Sequence, residues 1–359
     1  MFTKEDLKLF QSQSLEDKIQ RTLAKVSEWY SHWNNEVYVS FSGGKDSTVL
    51  ADICAKWCYI ANTPLYLVFV NTGLEYPEIQ KHVKQYAEWL QNKYEIEVIL
   101  EILRPEMRFD EVIKKYGYPL ISKEVSQHIH EFHNAKTDWA RQRWDKEGRY
   151  ANKSIRYDLT KWKPLRDSGI PVSHMCCSVM KKKPAKQYEK STGRKPIIAT
   201  MACESALRQN AWLKNGCNAF DANRKTSQPM SFWTEQDVLW YIKEKEIPLA
   251  SVYGTIQYAE DPEQIRIEEL GVDCGGCEKL CTSGCSRTGC IFCAFGEHLE
   301  KEKSKFERLK ETHPRQYAYC IGGGEYDENG VWKPNKDGLG MGHVFNELNK
   351  IYGDGFIRY

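Results

Sequence analysis

Six consecutive residues carry the clearest chemical pattern in this sequence. They are Ser42, Gly43, Gly44, Lys45, Asp46 and Ser47. An apolar run, residues 37–41, precedes them, and a helix-like stretch, residues 48–54, follows. Glycines let a backbone turn approach an anion, and a helix N-terminus offers unpaired N–H groups. Because the spacing fits neither G-x-x-x-x-G-K-[ST] nor G-x-G-x-x-G, we predict a phosphate-binding loop of another type rather than an ordinary strand-to-helix turn.

Cysteines form a second pattern that could do chemistry. The chain has 13 of them, and the pair Cys176-Cys177 stands shortly before the basic run Lys181–Lys183. Cys290 and Cys293 have the spacing of a metal-ligand pair. Since disulfides are rare in the cytosol, we expect these thiols to bind a metal or a cluster, and spacing alone leaves zinc and iron–sulfur both open. The basic run is either a solvated helix face or a polyphosphate contact.

The other cysteines have several interpretations. We expect Cys54, Cys58 and Cys217 to be buried as small apolar residues. Four more cysteines precede the ligand pair, and they could form a separate zinc site, add ligands or accept sulfur as a persulfide. These four are Cys274, Cys277, Cys281 and Cys285. Cys320 is a candidate fourth ligand of the main site.

Length and composition limit the class of protein. A chain of 359 residues is enough for one large domain or two modest ones, and an apolar content of 41% can supply a packed core. The formal net charge of +2 does not by itself indicate a nucleic-acid partner. No window approaches 18 uncharged apolar residues, and the N-terminal segment lacks the apolar core of a signal peptide. We therefore expect a cytoplasmic protein with no membrane partner.

Alternating strand and helix patterns place the loop in a fold. The predicted strands are residues 37–41, 64–70, 96–102 and 196–200. The predicted helices are residues 4–34 (as one or two helices), a stretch from after residue 78 to about residue 94, 107–116, a helix capped by Thr234, and 297–312. This alternation predicts an α/β fold with a doubly wound, mostly parallel, Rossmann-like sheet. Ligands bind such sheets beyond the carboxyl ends of the strands, where the loops at 42–47 and 71–78 both lie.

We expect three regions along the chain. They are an N-terminal helical segment at 1–35, an α/β domain at 36–255, and a Cys-rich C-terminal region at 256–359. An insertion at 135–165 interleaves basic and aromatic side chains, among them Arg141. Such a mixture suits phosphate contacts and base stacking. The plainer interpretation is a solvated insertion whose aromatic side chains pack on the main domain.

Several motifs, in this order, resemble the phosphoadenosine-phosphosulfate (PAPS) reductase-like branch of the PP-loop superfamily, which has the HUP type of fold. They are the loop at 42–47, Asn71-Thr72-Gly73 with Tyr76-Pro77-Glu78, the Cys176-Cys177 pair, Glu204-Ser205 with Arg208, the helix from Trp233 to Val238, and Ile247-Pro248 with Tyr253-Gly254. Within that branch, Arg287–Cys293 looks like the iron–sulfur-bearing members, including the sulfurtransferases of DNA phosphorothioation. Enzymes of this superfamily cleave ATP between its α and β phosphates and commonly adenylate a substrate.

The resemblance implies roles for individual residues. The implied catalytic residues are Lys45, Asp46 and Arg208. The implied nucleotide contacts are Ser40, Phe41, Ser42, Gly43, Gly44, Lys45, Asp46, Ser47, Asn71, Thr72, Gly73 and Glu204. The implied cofactors are ATP with Mg²⁺ and one [4Fe–4S] cluster, with zinc as the alternative to the cluster. Its ligands would be four of Cys176, Cys177, Cys290, Cys293 and Cys320.

The resemblance also bears on partners and on alternatives. It implies a nucleic-acid acceptor such as tRNA or DNA and a sulfur donor such as a cysteine desulfurase, and it leaves a homodimer open. Met201 and Ala202 stand where sulfonucleotide reductases have a pair of arginines, and no cysteine follows Cys320. We therefore expect an ATP pyrophosphatase that activates an acceptor for iron–sulfur-assisted sulfur transfer. The alternatives are a PAPS or other sulfonucleotide reductase, and a nucleotide-gated binding module of a defence or mobile-element system.

Overall fold

The computed structural model describes residues 2–136, 138–145, 158–259 and 279–359. The chain divides into two compact units, each assembled from separate segments. The sheet unit comprises Met1–Asn71, Glu75–Leu103 and Ala185–Thr288. The cysteine unit comprises Thr72–Leu74, Arg104–Pro184 and Gly289–Tyr359. The three contiguous regions expected from the sequence remain a prediction.

Strands and helices alternate from Val37 to Asn134, whereas elsewhere several helices or several strands follow one another. The strands are β1 (Val37–Ser40), β2 (Leu65–Val70), β3 (Val98–Leu103), β4 (Leu120–Ile121), β5 (Lys195–Ile197), β6 (Asn218–Ala219), β7 (Thr226–Ser227), β8 (Ile256–Tyr258), β9 (Leu280–Thr282), β10 (Ala294–Phe295), β11 (Glu325–Tyr326) and β12 (Trp332–Lys333). The helices are α1 (Lys4–Gln11), α2 (Leu15–His32), α3 (Lys45–Ala61), α4 (Pro77–Tyr94), α5 (Phe109–Tyr116), α6 (Lys123–Asn134), α7 (Trp139–Asp145), α8 (Lys163–Arg166), α9 (Lys183–Thr192), α10 (Ala206–Asn215), α11 (Glu235–Glu244), α12 (Lys305–Thr312), α13 (Pro314–Ile321) and α14 (Met341–Tyr352). Short 3-10 turns cover Thr160–Trp162, Ala202–Glu204, Ser251–Tyr253 and Glu297–Leu299, and a π-helical turn covers Ser178–Lys182.

The sheet unit is built around a six-stranded sheet with the strand order β3-β2-β1-β5-β7-β6. β1 lies in its interior and pairs in parallel with β2 and β5, whereas β6 pairs with β7 in the antiparallel sense. Val37, Tyr38 and Val39 are buried, as expected of an interior parallel strand that is covered on both faces. The predicted α/β fold with a mostly parallel, doubly wound sheet is confirmed.

A buried carboxylate fixes the helix that follows β1. Asp52, in the middle of α3, is 1% exposed. Its oxygens accept hydrogen bonds from Tyr241 Oη at 2.6 Å, from Lys93 Nζ at 2.8 Å and from Tyr94 Oη at 3.1 Å. Buried charges require such partners. Because these partners belong to α4 and α11, the network ties α3 to both helices.

The cysteine unit is organised around β4 and the two residues before it. β4 pairs in parallel with β10, and Leu120 lies opposite Ala294. Tyr118 donates its N–H to the Pro171 carbonyl at 2.7 Å and accepts the Ser173 N–H at 2.9 Å. The same short stretch, residues 118–121, therefore holds chain segments that precede Cys176 and follow Cys293.

Most predicted elements agree with the structure to within a few residues. Residues 4–34 form the two helices α1 and α2, and the strands predicted at 64–70 and 96–102 correspond to β2 and β3. Thr234 caps α11 as predicted, because its side chain accepts the Asp237 N–H. Among the described residues, no helix is long and apolar enough to cross a membrane.

The helix predicted over residues 297–312 is wrong in its first half. α12 begins only at Lys305, where Ser304 forms a capping box with Glu307. The Ser304 N–H donates to the Glu307 carboxylate at 2.7 Å, and Ser304 Oγ accepts the Glu307 N–H at 3.1 Å. The tail predicted only as Gly-rich also contains α13 and α14, which the sequence analysis did not predict.

The network at Asp52 gives a stability prediction. Tyr241→Phe removes the shortest hydrogen bond to a buried carboxylate, so we expect the free energy of unfolding to fall by about 1–3 kcal/mol. Urea denaturation at neutral pH measures it. Tyr59→Phe on α3, the helix that carries Asp52, is the matched control; its ring is 60% exposed, so the change should alter stability by less than about 0.5 kcal/mol. Equal stabilities for the two variants would contradict the role given to Tyr241.

Candidate functional site

The loop between β1 and α3 has a backbone that requires glycine at its second position. Gly43 has a left-handed φ of +72°, and an added Cβ would lie 2.9 Å from the side chains of Ile79 and Val83 on α4. A larger residue would therefore be strained and would also push the loop away from α4. The next residue, Gly44, is the N-cap of α3 and provides no side-chain cap.

Hydroxyl groups brace the loop from inside. Ser47 Oγ accepts the Ser42 N–H at 3.2 Å and donates to the Gly44 carbonyl at 2.9 Å. The two serine hydroxyls also lie 3.0 Å apart, within hydrogen-bonding distance. The loop is thus held in one shape at the N-terminus of α3, where the helix dipole favours a negative charge.

Lys45 is a buried cation at the first position of α3. Its side chain is 4% exposed, and its ammonium lies 2.9 Å from the Glu235 carboxylate. The ammonium also donates to the Ser286 carbonyl at 3.0 Å, while the Lys45 backbone N–H donates to Tyr253 Oη at 3.1 Å. Because a buried ammonium requires acceptors, these contacts hold its charge at the helix N-terminus.

Asp46 presents a carboxylate oxygen that lacks a donor. Oδ1 of Asp46 is buried and accepts no hydrogen bond within the part of the chain that the structure describes. The Lys45 ammonium lies 3.9 Å from it. Burial raises the pKa of Asp46 and the Glu235 carboxylate adds to the rise, whereas the positive charges of Lys45 and Arg287 oppose it. A buried carboxylate oxygen beside a phosphate-type loop is suited to binding a divalent cation.

Two guanidinium groups lie near this carboxylate. Arg208 forms an ion pair with Glu204, whose carboxylate also accepts the Met201 N–H at 2.9 Å. Burial lowers the pKa of Arg208, and the nearby charge of Arg287 lowers it further. The structure therefore brings Arg208 and Arg287 to the loop. The nucleotide role of Glu204 remains a prediction.

The remaining implied nucleotide contacts follow β1 and β2. Ser40 is the last residue of β1, and the next residue, Phe41, is buried. Asn71 follows β2 in the sheet unit, and its side-chain amide is directed to α4. Thr72 and Gly73 belong to the cysteine unit. Their roles in nucleotide binding remain predictions.

In the cysteine unit, four thiols line one small cavity. They are Cys176, Cys177, Cys290 and Cys293. The cavity has a volume of about 20 Å³. Its other lining residues are Leu74, Phe109, Pro119, Met180 and Lys181. Two cysteine pairs that are far apart in the sequence therefore meet in a mostly apolar environment.

Local backbone structure places these thiols. The Cys290 carbonyl accepts the Cys293 N–H at 3.1 Å, and β10 begins at the residue after Cys293. A π-helical turn begins directly after Cys177, and turns of this kind occur frequently at functional sites. Gly117 permits the approach of the segment before Cys176, because a Cβ there would lie 2.5 Å from the Pro171 carbonyl.

The donors at this cavity are compatible with two kinds of centre. Among the described residues, no three His, Cys, Asp or Glu side chains come together in a way that could hold a single metal ion. A [4Fe–4S] cluster has a different requirement, because each of its irons takes its own cysteine thiolate. Four cysteine thiolates are the donor set of a [4Fe–4S] cluster and also of a tetrahedral zinc ion, and the choice between the two centres remains a prediction.

The other cysteines lie elsewhere. Cys320 is buried in α13, where its thiol lies 3.5 Å from the sulfur of Met341, and its role as a ligand remains a prediction. The three cysteines expected to be buried, Cys54, Cys58 and Cys217, are buried. Cys281 and Cys285 are half-buried free thiols, and Cys274 and Cys277 lie outside the described residues.

The adjacent cysteines differ in acidity. A hydrogen bond from Cys176 lowers the pKa of Cys177 below its usual value, and the ammonium groups of Lys181 and Lys123 add to the effect. The same hydrogen bond raises the pKa of Cys176, and burial raises the pKa of Cys293 to about 11. One thiolate of the adjacent pair is therefore available at neutral pH as a metal ligand.

The insertion at 135–165 is described in part, since residues 137 and 146–157 lie outside the described residues. Trp144 is 2% exposed and packs against Phe132, and Trp162 packs against Tyr352. These two aromatic side chains pack within the cysteine unit, as the plainer interpretation expects. Arg141 is exposed, and its contact with a nucleic acid remains a prediction.

Sequence reasoning assigned no site role to several residues around the loop. They are Glu235, Tyr253, Ser286, Arg287 and Thr288. Tyr253, Arg287 and Thr288 belong to motifs that the chain shares with the PAPS reductase-like branch, and their place in those motifs could have indicated a role at the site. Glu235 had a weaker signal, because a carboxylate in the first turn of a helix is an ordinary feature.

A glycine loop between an interior parallel strand and a helix N-terminus, with cations around it, defines a nucleotide-binding α/β protein. The chain belongs to the phosphoadenosine phosphosulfate reductase domain family, which it matches over residues 36–294. This family is part of the PP-loop superfamily, as the sequence resemblance indicated. The family supports an adenine-nucleotide-utilising enzyme.

Solved structures with a similar chain path are distant. The NMN synthetase from Francisella tularensis is 15% identical, with a TM-score of 0.31, and the match covers 66% of this chain and 73% of that one. The U34-tRNA thiolase NcsA from Methanococcus maripaludis, solved with its [4Fe–4S] cluster, is 15% identical, with a TM-score of 0.34 and coverage of 71% and 72%. At these scores neither likeness supports a functional statement. A search of curated proteins found no match.

The acidity of the adjacent pair gives a labelling prediction. In metal-free protein at neutral pH, Cys177 should react with iodoacetamide well before Cys293, because a thiolate forms above the pKa of its thiol. Labelling of Cys177 should fall as the pH is lowered from neutral, because the pKa of its thiol lies below the usual value. Peptide mass spectrometry across a pH series measures both rates. A single common rate for the two cysteines would contradict the prediction.

Proposed function

We propose that this protein cleaves ATP to AMP and pyrophosphate in order to activate an acceptor, which then receives sulfur. The proposal rests above all on the N-terminus of α3. The glycine loop, the buried ammonium of Lys45 and a carboxylate oxygen of Asp46 lie there together, and that oxygen accepts no hydrogen bond from the described residues. Membership of the family supports the use of an adenine nucleotide.

Each group at the loop has a task in this reaction. The loop N–H groups and the α3 dipole would bind the phosphates, and Asp46 would hold Mg²⁺ against them. An acceptor oxygen attacks the α-phosphorus, the bond to the bridging oxygen breaks, and pyrophosphate leaves with that electron pair. Lys45 and Arg208 would stabilise the charge that develops on the leaving pyrophosphate. A sulfur nucleophile then displaces AMP from the acceptor.

The four cavity thiols would hold a [4Fe–4S] cluster. A cluster bound there would supply redox or sulfur-handling chemistry. The chain itself contributes the convergence of Cys176 and Cys177 with Cys290 and Cys293, and the apolar lining around them. Apolar surroundings limit solvent access, which tunes such a centre.

The acceptor we favour is a nucleic acid, tRNA or DNA, with sulfur supplied by a donor such as a cysteine desulfurase. The runner-up is sulfonucleotide reduction, which family membership favours. The products distinguish the two reactions. Acceptor activation yields AMP and pyrophosphate from ATP and a sulfur-labelled acceptor, whereas reduction yields sulfite from a sulfonucleotide. ATP hydrolysis with no acceptor in any extract would favour a nucleotide-gated binding module.

The first test removes the proposed cation ligand. Asp46→Ala should lower the rate of pyrophosphate release by about a hundredfold, because it removes a group that organises charge around the leaving phosphates. Ser47→Ala should also lower it, since Ser47 braces the loop. Asp221→Ala, which changes an exposed carboxylate of the same unit, is the control. Normal turnover in both loop variants would refute the proposal.

The second test concerns the cluster. Protein purified without oxygen should be brown, with broad absorbance near ~400 nm that a reductant bleaches, as Cys-ligated clusters show. Cys290→Ser and Cys293→Ser should each lose iron, whereas Cys203→Ser, outside the described cavity lining, should keep it. A colourless preparation with stoichiometric zinc would refute iron and leave the ligands standing. Full metal content in both ligand variants would refute the ligands as well.

A further inference from the structure

The segment Ser286–Thr288 is fastened to the phosphate loop on both sides of Arg287. Before it, the Ser286 carbonyl accepts a hydrogen bond from the Lys45 ammonium at 3.0 Å. After it, Thr288 Oγ1 and Tyr253 Oη are hydrogen-bonded at 2.8 Å, and the same tyrosine oxygen accepts the Lys45 N–H at 3.1 Å. All of these residues belong to the sheet unit. The backbone of Arg287 is therefore held at the N-terminus of α3.

The side chain of Arg287 is not used to hold the fold. It is exposed, and it makes no hydrogen bond or ion pair with the portion of the chain that the structure describes. Its charge nonetheless acts on Asp46 and on Arg208. Two guanidinium groups that are kept near each other repel, and this repulsion is relieved when an anion binds between them. Such an arrangement is typical of a site for a multiply charged anion.

We propose that Arg287 binds the pyrophosphate portion of the nucleotide, the β and γ phosphates, together with Arg208. This inference rests on the proposed use of ATP. A guanidinium group can donate two parallel hydrogen bonds to phosphate oxygens. The loop and Lys45 would bind the phosphates of the nucleotide. Arg208 and Arg287 lie beside them and would therefore contact the β and γ phosphates, which carry the most charge. AMP lacks that part, so Arg287 should distinguish ATP from AMP.

The test compares two ligands and three variants. Isothermal titration calorimetry with ATP and Mg²⁺, and separately with AMP, is run on the wild type, Arg287→Ala, Arg287→Lys and Arg224→Ala. Arg287→Ala should bind ATP between about tenfold and a hundredfold more weakly, the range expected for a lost charged hydrogen bond, and should bind AMP as the wild type does. Arg287→Lys should recover part of the ATP affinity, because it keeps the positive charge and loses the two parallel hydrogen-bond donors of the guanidinium group.

The controls separate this inference from the proposed function. Arg224 pairs with Glu189 in the same unit, so Arg224→Ala should leave both affinities unchanged. Thermal unfolding of Arg287→Ala should match the wild type, because the side chain is exposed. If the wild type binds ATP and Arg287→Ala binds it equally well, the assignment of Arg287 is overturned and the proposed function still stands. Equal losses for ATP and AMP also overturn it, and wild-type protein that does not bind ATP overturns both.

Discussion

The candidate nucleotide site depends on the burial of one positive charge. Lys45 is placed by its position as the first residue of α3, and its ammonium is withdrawn from water. A buried cation must find acceptors, so Glu235 and the Ser286 carbonyl are drawn to the N-terminus of the helix. A phosphate bound there, as we propose, would compete with Glu235 for the same ammonium. The contribution of Lys45 to nucleotide binding would then be the difference between its ion pair with the phosphate and its ion pair with Glu235.

In the cysteine unit, the two-residue strand β4 and the residues just before it bring two pairs of thiols that are distant in the sequence close together. Residues 118–121 hydrogen-bond to the segment before Cys176 and to β10 after Cys293. Such backbone pairing fixes both the direction of the paired segments and the distance between them. Each cysteine pair is then only a short turn away from a segment that is held in place. A bound cluster would add to this arrangement, because ligation that requires the folded geometry stabilises that geometry.

The sequence predicts what depends on local pattern. The strand at 37–41, the glycine loop and the Thr234 cap all follow from neighbouring residues, and the structure contains each of them. The false helix at 297–304 came from reading charge and periodicity without the Ser304 capping box, which is also a local signal. The contacts of Ser286 and Tyr253 with Lys45 could not be predicted in this way, since they join residues more than 200 positions apart. Spacing suggested the cysteine pairs, and the resemblance, rather than spacing, suggested that they share one centre.

The structure shows the surroundings of the two residues at which this chain differs from the sulfonucleotide reductases. Met201 and Ala202, which occupy the places of the reductases' arginine pair, are each 3% exposed, and the Ala202 N–H donates to the Ser231 carbonyl at 2.7 Å. In this chain both places are therefore uncharged and closed to solvent. The positive charges that act on Asp46 at this loop are those of Lys45, Arg287 and Arg208. Positive charge placed there would suit a polyphosphate chain with its metal ion, and it is on this distribution of charge that we base the proposal of ATP rather than a sulfonucleotide as the substrate.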